Sequence, residues 1–577
     1  MFRDSLIASM RKRWPDLHVE LSVPPDPSLG DYSLNAAFAL AKKERRPVLQ
    51  VAEVLAEAIR EDHATCVKEV RIVPPGFVNI VLQESYLQRK LSEAYRSPDR
   101  YGSSGAGKGR KVIVEYSSPN IAKSMHVGHL RSTIIGDALA NVYDALGYDV
   151  IRWNYIGDWG TQFGNLIAAY KKWGSEAELE KDPVPYMESL YVRFHAEKEQ
   201  DPALEDAGRE EFRKLESGDS ENRKLWERFR GLSLERFSMM YGRLGVALAG
   251  GDAVTTKGES DYEDRLAGLV EELSGNGIAA PGEGGALVAD LSGFGIATAA
   301  MLRKSDGATV YLTRDLASLR ERATIAGVAK ILYVVANQQA LHFEQLFAMA
   351  ELMKQKGLIR ENLPELNHVK FGLVLGADGK KFSTREGNAV ALADVLNEAE
   401  HRAENVVHEK NPELDEARVH ETAHDVALAA VKYNDLRQHP HSDITFDWDA
   451  MLDLSGNSGP YLQYTHARLA NIAAKAGAPE EAGELTGLEH PAERALMSAL
   501  LDFPEAVAAC ARLSALNPLA LYLYELAGLA NRYYEQVRVM DEEDTAVRGA
   551  RVVLVATVAA VLKRGLGILG IRAPERI

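Results

Sequence analysis

The stretch KVIVEYSSPNIAKSMHVGHLRSTIIGDALANVYDALGYDVIRWNY, residues 111–155, decides the fold. It opens on a short β-branched run, Lys111–Tyr116, that suits a buried strand. Turn-forming residues follow at Ser117–Asn120. Apolar positions then recur at helical spacing from about Val127 to Leu146, and Gly147 supplies the stop. Asp149–Tyr155 reads as a second strand. Strand, helix and strand in so short a span imply two parallel strands joined by a crossover, the opening of a doubly wound nucleotide-binding sheet.

Within that stretch, His126-Val127-Gly128-His129 falls where the first strand has turned into the start of the helix. Two imidazoles three residues apart, with a glycine between them, can face one ligand while the backbone approaches it closely. A helix N-terminus adds unpaired N–H groups and the positive end of the helix dipole, which favour a triphosphate. Standing alone, such a match is more often two surface histidines at a helix start; its place after a parallel strand reverses that weighting. The second element is Lys380-Lys381-Phe382-Ser383-Thr384-Arg385-Glu386-Gly387-Asn388, after a strand ending at Gly376. Three cations and two hydroxyls in one loop can close on a triphosphate and neutralise its developing charge. In isolation the loop is better read as a solvated basic hairpin, and only its pairing with the histidine motif argues otherwise.

Working outward, 577 residues exceed what one hydrophobic core organises, so several domains are expected. Residues 1–107 read as a small α+β unit. It has helical spacing at Ser5–Trp14 and Val48–Ile59, strands Val70–Val73 and Phe77–Leu82 across Pro74-Pro75-Gly76, and a closing linker at Gly102–Gly107. Residues 108–390 read as a Rossmann-type parallel-sheet domain, with further strands at Lys330–Ala336 and His368–Leu375. A charge- and glycine-rich insertion is expected to split it at about 170–300, with short strands around Gly285–Leu291. Residues 391–445 read as a helical connection and 446–577 as a helical bundle, giving a multidomain α/β plus all-α fold.

A net charge of −16 weighs mildly against a nucleic-acid partner, although a large acidic enzyme can carry a local basic face. Cys66 and Cys510 lie far apart, which excludes a disulfide framework and a cysteine-rich zinc site. No protein-bound structural metal is expected, and a reducing, cytoplasmic setting fits. The opening MFRDSLIASMRKRW lacks the uninterrupted apolar core of a signal peptide. The most apolar run, Val552–Leu562, is short and ends in Lys563-Arg564, so it reads as a buried helix and no membrane span is expected.

The residues Glu115–Asp137, Asn154–Gly164, Lys304–Gly307, Tyr311–Ala317, Gln338–His342, Ser458–Arg468 and Leu569–Ile577 together resemble the arginyl-tRNA synthetases, the class I family with a HIGH motif. The likeness covers nearly the whole chain. It implies an arginine–tRNA ligase that uses ATP, with Mg2+ accompanying the nucleotide, to make arginyl-adenylate and then arginyl-tRNA(Arg). By resemblance, His126, Gly128 and His129 bind the ATP phosphates, and the two histidines stabilise the activation transition state. The loop Lys381–Gly387 is the counterpart of the class I KMSKS loop, with Lys381, Phe382, Ser383 and Arg385 on the nucleotide. Thr384 stands where the class has its second lysine, and Lys123, just before the HIGH residues, is the compensating cation. Glu115 and Asp315 flank the substrate side chain with Tyr311 alongside, while Asn120 and Gln339 hold its α-amino and carboxylate ends. A planar guanidinium calls for such bidentate carboxylate acceptors.

The same resemblance makes residues 1–107 the added domain that meets the tRNA D-loop. There Phe77 would stack on a base and Asn79 bond to its edge, the usual way unpaired RNA bases are read. Phe77 as a plain strand core residue is the competing reading. Residues 446–577 become the anticodon-binding bundle, with Tyr533 or Tyr534 at the anticodon loop and the other in the core. The resemblance also implies adenylate formation that requires bound tRNA; a monomer is expected. A small nucleotidyltransferase with the same histidine motif would need neither the bundle nor the second loop. A non-catalytic tRNA-binding relative is expected to have lost His126, His129, Lys123 or Lys381, and all four are kept.

Overall fold

The computed structural model of the chain describes residues 2–24, 26–251, 254–359, 363–376, 378–380, 382, 390–483 and 485–576. At its centre five parallel strands lie in the order Glu365–Phe371, Val328–Ala336, Lys111–Glu115, Asp149–Ile156, Val254–Gly258. Lys111–Glu115 is buried at four of its five positions, as a strand covered on both faces must be. The chain winds outward from it in one direction as far as Val254–Gly258, then returns to build the other side from Val328–Ala336. Strand order therefore reverses between Lys111–Glu115 and Val328–Ala336, and the crevice beyond their carboxyl ends is where a ligand fits such a sheet. The expected crossover helix is Val127–Ala145, stopped at Leu146 with Gly147 in the left-handed region.

Two expectations need correcting. Residues 170–300 are not one insertion. Helices between Glu176 and Leu244 do leave the sheet, but Val254–Gly258 rejoins it beside Asp149–Ile156. That edge strand pairs on one side only, so its sequence VTTKG needs no continuous apolar run and gave no strand signal. A three-stranded antiparallel sheet of Ala280–Pro281, Leu287–Ala289 and Ala300–Arg303 comes after it. The run His368–Leu375 is likewise two strands. Glu365–Phe371 belongs to the parallel sheet, whereas Val374–Gly376 pairs with Ile444–Phe446. The break is at Gly372, where a Cβ would meet the Ser442 carbonyl and Asp443 within 2.7 Å.

Residues Thr545–Ile568 form one helix of 24 residues, longer than Val552–Leu562 and apolar enough to cross a membrane by length and composition. It packs against Gly459–Ala476 and Asn517–Gln536, with Val553, Leu554, Val558 and Leu562 at most 1% exposed. The N-terminal unit is a four-stranded antiparallel sheet carrying helices Phe2–Arg13 and Val48–Asp62. It is fastened to the bundle: Arg494 donates to Asp31 at 2.6 Å and pairs with Glu84, Ser498 donates to Asp31, and Arg3 and Tyr32 both reach Asp502.

One buried pair ties the crossover helix to the connection. Arg131 donates from Nε and Nη2 to the two oxygens of Asp435, each at 2.9 Å, and its remaining N–H groups reach the carbonyls of Ser442 and Pro440. Both side chains are 1% exposed. Removing only one partner strands a charge in the core, which costs ~3–5 kcal/mol, whereas an apolar pair of similar volume costs far less. Arg131→Met is expected to lower unfolding free energy by about that amount in urea titrations, and the double variant Arg131→Met/Asp435→Leu to recover most of it.

Candidate active site

The turn from the first strand into the helix runs through three non-glycine residues in the left-handed region: Ser117 (φ 70°), Ser118 (φ 48°) and Ala122 (φ 59°). Each costs on the order of 1–2 kcal/mol, so the surroundings must hold them. They do: Ser117 N–H donates to Ser132 Oγ, Ser118 N–H to Asn154 Oδ1, and Ala122 N–H to Ser233 Oγ, at 3.0, 3.2 and 3.0 Å. Ile121 N–H and Gly157 N–H close a reciprocal pair with the Gly157 and Pro119 carbonyls. Gly157 is glycine because a Cβ there would lie 1.9 Å from Asn120 Oδ1.

His126 is the N-cap of the helix. Its Nδ1 accepts from Gly128 N–H at 3.0 Å, and His129 Nδ1 accepts from His126 N–H at 3.1 Å. The ring centroids are 4.0 Å apart. A Cβ on Gly128 would come within 2.8 Å of the His126 ring, so only glycine lets that ring fold over the helix end. Because both Nδ1 atoms accept, both rings are the tautomer whose proton is on Nε2. Burial, with His126 beside it, pushes His129 down to about 3, so it is neutral at ordinary pH. The motif thus sets two imidazoles, that of His129 neutral, at a helix N-terminus.

These imidazoles line a cavity of about 500 Å³, together with Ser117, Ser118, Arg131, Gln339 and Phe382. A second cavity of about 460 Å³ abuts it and shares Ser118, Val335 and Gln339. Both open at the crevice that the strand order marks. The second brings together all five residues expected around the amino acid: Glu115, Asn120, Tyr311, Asp315 and Gln339.

Their states differ from expectation. Glu115 is already partnered: Arg322 from the helix Tyr311–Ala323 pairs with its Oε2 at 2.5 Å, 1% exposed and stacked over Trp153 at 4.6 Å. Asp315 lies in the second turn of that helix, and His342 Nε2 bonds one of its oxygens at 2.6 Å. Glu259 was not foreseen. It lines the same cavity, its Oε2 is buried with no hydrogen-bond partner, and burial and the nearby Asp315 push its carboxyl up to about 8. It sits in the one-turn segment Glu259–Tyr262, in sequence read as insertion, with no motif to mark it. Asp158, within the stretch Asn154–Gly164, is fully buried and structural: it accepts from Arg230 Nε and from the Ser260 N–H and hydroxyl.

Lys123 lines neither cavity; its ammonium lies 5.2 Å from the ring centroid of Tyr191. Lys381, Ser383, Thr384 and Arg385 lie outside the described residues, whereas Phe382 N–H donates to the Val374 carbonyl and its ring packs on Phe446. In the N-terminal unit Phe77 is 39% exposed, edge-on to Phe38. Asn79 is the exception to its expected surface role. It is 2% exposed in a central strand between Ser33 and Arg71, and its amide oxygen accepts from Ser33 Oγ. Of the bundle pair Tyr533 is core at 1% exposed, while Tyr534 is exposed with Arg468 between its ring and that of Tyr464.

Three family models match. Residues 91–448 fit the class I (R) tRNA synthetase catalytic domain, 462–577 the DALR anticodon binding domain, and 2–82 the arginyl-tRNA synthetase N-terminal domain. The arginine–tRNA ligase of Streptococcus thermophilus is 38% identical over the full length of both chains. That of Enterococcus faecalis is 40% identical over 94% of this chain and 92% of its own. The arginyl-tRNA synthetase structures from Thermus thermophilus and Plasmodium falciparum superpose with TM-scores of 0.82 and 0.81, at 27% and 26% identity. They cover all of this chain and 99% and 98% of theirs.

Glu259 gives a pH signature. Near neutrality its carboxyl holds a proton, so a guanidinium that paired with it, staying charged throughout, would release that proton. Affinity for arginine, followed calorimetrically, is expected to rise as pH increases towards about 8 and to level off above it. Glu259→Gln is expected to weaken binding by roughly tenfold and to flatten the profile.

Proposed function

The chain belongs to the class I arginyl-tRNA synthetases, and from that premise we propose how its residues divide the work. The enzyme is an arginine–tRNA ligase: it activates arginine with ATP to arginyl-adenylate and transfers the arginine to the 3′ end of tRNA(Arg). The observation that carries the division is the pair of abutting cavities, one walled by imidazoles and the other by carboxylates.

ATP takes the first cavity, with its phosphates at the helix N-terminus facing His126 and His129. Arginine takes the second. With Glu115 neutralised by Arg322, Asp315 and Glu259 are the carboxylates for its guanidinium, Tyr311 lies along its stem, and Asn120 and Gln339 hold the α-amino and carboxylate ends. That orientation brings the arginine carboxylate to the shared wall at Ser118, Val335 and Gln339. A carboxylate oxygen attacks the α-phosphorus there and pyrophosphate leaves. The 3′-terminal ribose hydroxyl of tRNA then attacks the acyl carbon and AMP leaves. No side chain is a nucleophile; positioning and electrostatic stabilisation supply the rate. The imidazoles donate to phosphate oxygens, His129 without a charge of its own, and Lys123, Lys381 and Arg385 supply positive charge as negative charge develops. Magnesium enters with ATP as part of the substrate.

We further propose that residues 1–107 meet the tRNA elbow through Phe77. The Tyr464–Arg468–Tyr534 surface would receive anticodon bases by stacking. The same proposal covers a monomer at work in the cytoplasm with no membrane partner, and adenylate formation that waits for tRNA.

The deciding experiment offers each of the twenty amino acids separately with unfractionated tRNA. Arginine alone should be charged, and charging of another amino acid would overturn the guanidinium assignment. Asp315→Asn should raise KM for arginine by about ten- to a hundredfold while leaving KM for ATP within about twofold. Arginine-dependent pyrophosphate exchange should be absent until tRNA is added; exchange without tRNA would refute that requirement.

A further inference from the structure

The helix Pro183–Lys198 leaves the parallel sheet yet returns over the active-site turn. Val184, Met187, Leu190 and Phe194 make one buried face that anchors it against the body of the enzyme. Glu188, Tyr191 and His195 recur at i, i+3 and i+7, so they share another stripe. That stripe meets the loop ahead of the HIGH histidines. Glu188 Oε2 accepts from both the backbone N–H and the hydroxyl of Ser124, at 3.3 and 2.7 Å. The Lys123 ammonium lies 5.2 Å from the centroid of Tyr191, whose ring centroid is 4.4 Å from that of His195.

We propose that Tyr191 is a positioning residue for activation: its ring holds the Lys123 ammonium beside the active-site turn, from where it can reach the α-phosphate. This rests on the reading of Lys123 as a phosphate contact. A lysine carries four flexible torsions, and an exposed one samples many rotamers that miss a phosphate. The turn fixes only the backbone of Lys123, through left-handed Ala122 on one side and the Ser124–Glu188 bonds on the other. The aromatic face restricts the rest while leaving the charge intact, because a cation–π contact is weak enough to be exchanged for a phosphate oxygen.

The test is a double-mutant cycle on the full-length enzyme, using tRNA-supported pyrophosphate exchange with ATP and arginine varied separately. Tyr191→Leu should lower kcat/KM for ATP by about three- to tenfold, with KM for arginine within about twofold. Tyr191→Phe keeps the aromatic face and should match wild type. In a Lys123→Met background, Tyr191→Leu should add nothing. A wild-type Tyr191→Leu, a Tyr191→Phe as impaired as Tyr191→Leu, or a loss that persists without Lys123 would each overturn the proposal. Wild-type kcat/KM for ATP in Lys123→Met alone would instead overturn the phosphate reading beneath it.

Discussion

The bidentate contact between Arg131 and Asp435 sets the geometry on which the rest of the site depends. Arg131 lies one turn into the helix that presents the two histidines, and Asp435 lies at the end of the helix Glu416–Leu436. The remaining Arg131 N–H groups hold the carbonyls of Pro440 and Ser442. Two residues later the chain becomes Ile444–Phe446, the partner strand of Val374–Gly376, after which comes the segment proposed to close on the ATP phosphates. One buried guanidinium therefore fixes the histidine motif relative to the root of that segment. A charge pair suits this better than apolar packing, because a planar fork fixes orientation as well as distance.

A second buried guanidinium shapes what the neighbouring cavity binds. Arg322 satisfies Glu115 from inside, stacked among Trp153, Tyr155 and Tyr333. The carboxylates left for a ligand come from different segments, Asp315 on a helix and Glu259 on a short turn beyond the edge strand. Acceptors converging from two directions match the delocalised plane of a guanidinium, whereas a compact ammonium needs no such arrangement.

Much of this was legible in the sequence. The run 111–155 carried its strand–helix–strand order because each element is long, apolar and punctuated by turn residues, and the likeness to a known family gathered Glu115, Asn120, Tyr311, Asp315 and Gln339 into one pocket. The misses share a physical cause. Val254–Gly258 is a short, half-polar edge strand, so its burial depends on a neighbour more than a hundred residues earlier in the chain. Glu259 follows directly and inherited the misreading. Which of Tyr533 and Tyr534 is core, and that Asn79 is buried while Phe77 on the same strand is not, depend on what packs above them. Alternation along one strand says nothing of that. The pairing of Glu115 with Arg322 joins residues 207 apart, a choice of partner that local pattern cannot make.

The ion pairs joining Asp31 and Glu84 to Arg494, and Arg3 to Asp502, fasten the first domain of the chain to its last. The anticodon-binding domain and the N-terminal unit proposed to meet tRNA are thereby held in a fixed relation. For a tRNA laid across both, capture at either unit makes engagement of the other intramolecular, at an effective concentration set by that relation. Each contact can then be weak, sparse in cations and quick to release, while the whole remains selective for a ligand of the right length. Two proposed contacts held in a fixed relation would let a chain of net charge −16 grip a polyanion through matching geometry rather than through a large cationic surface.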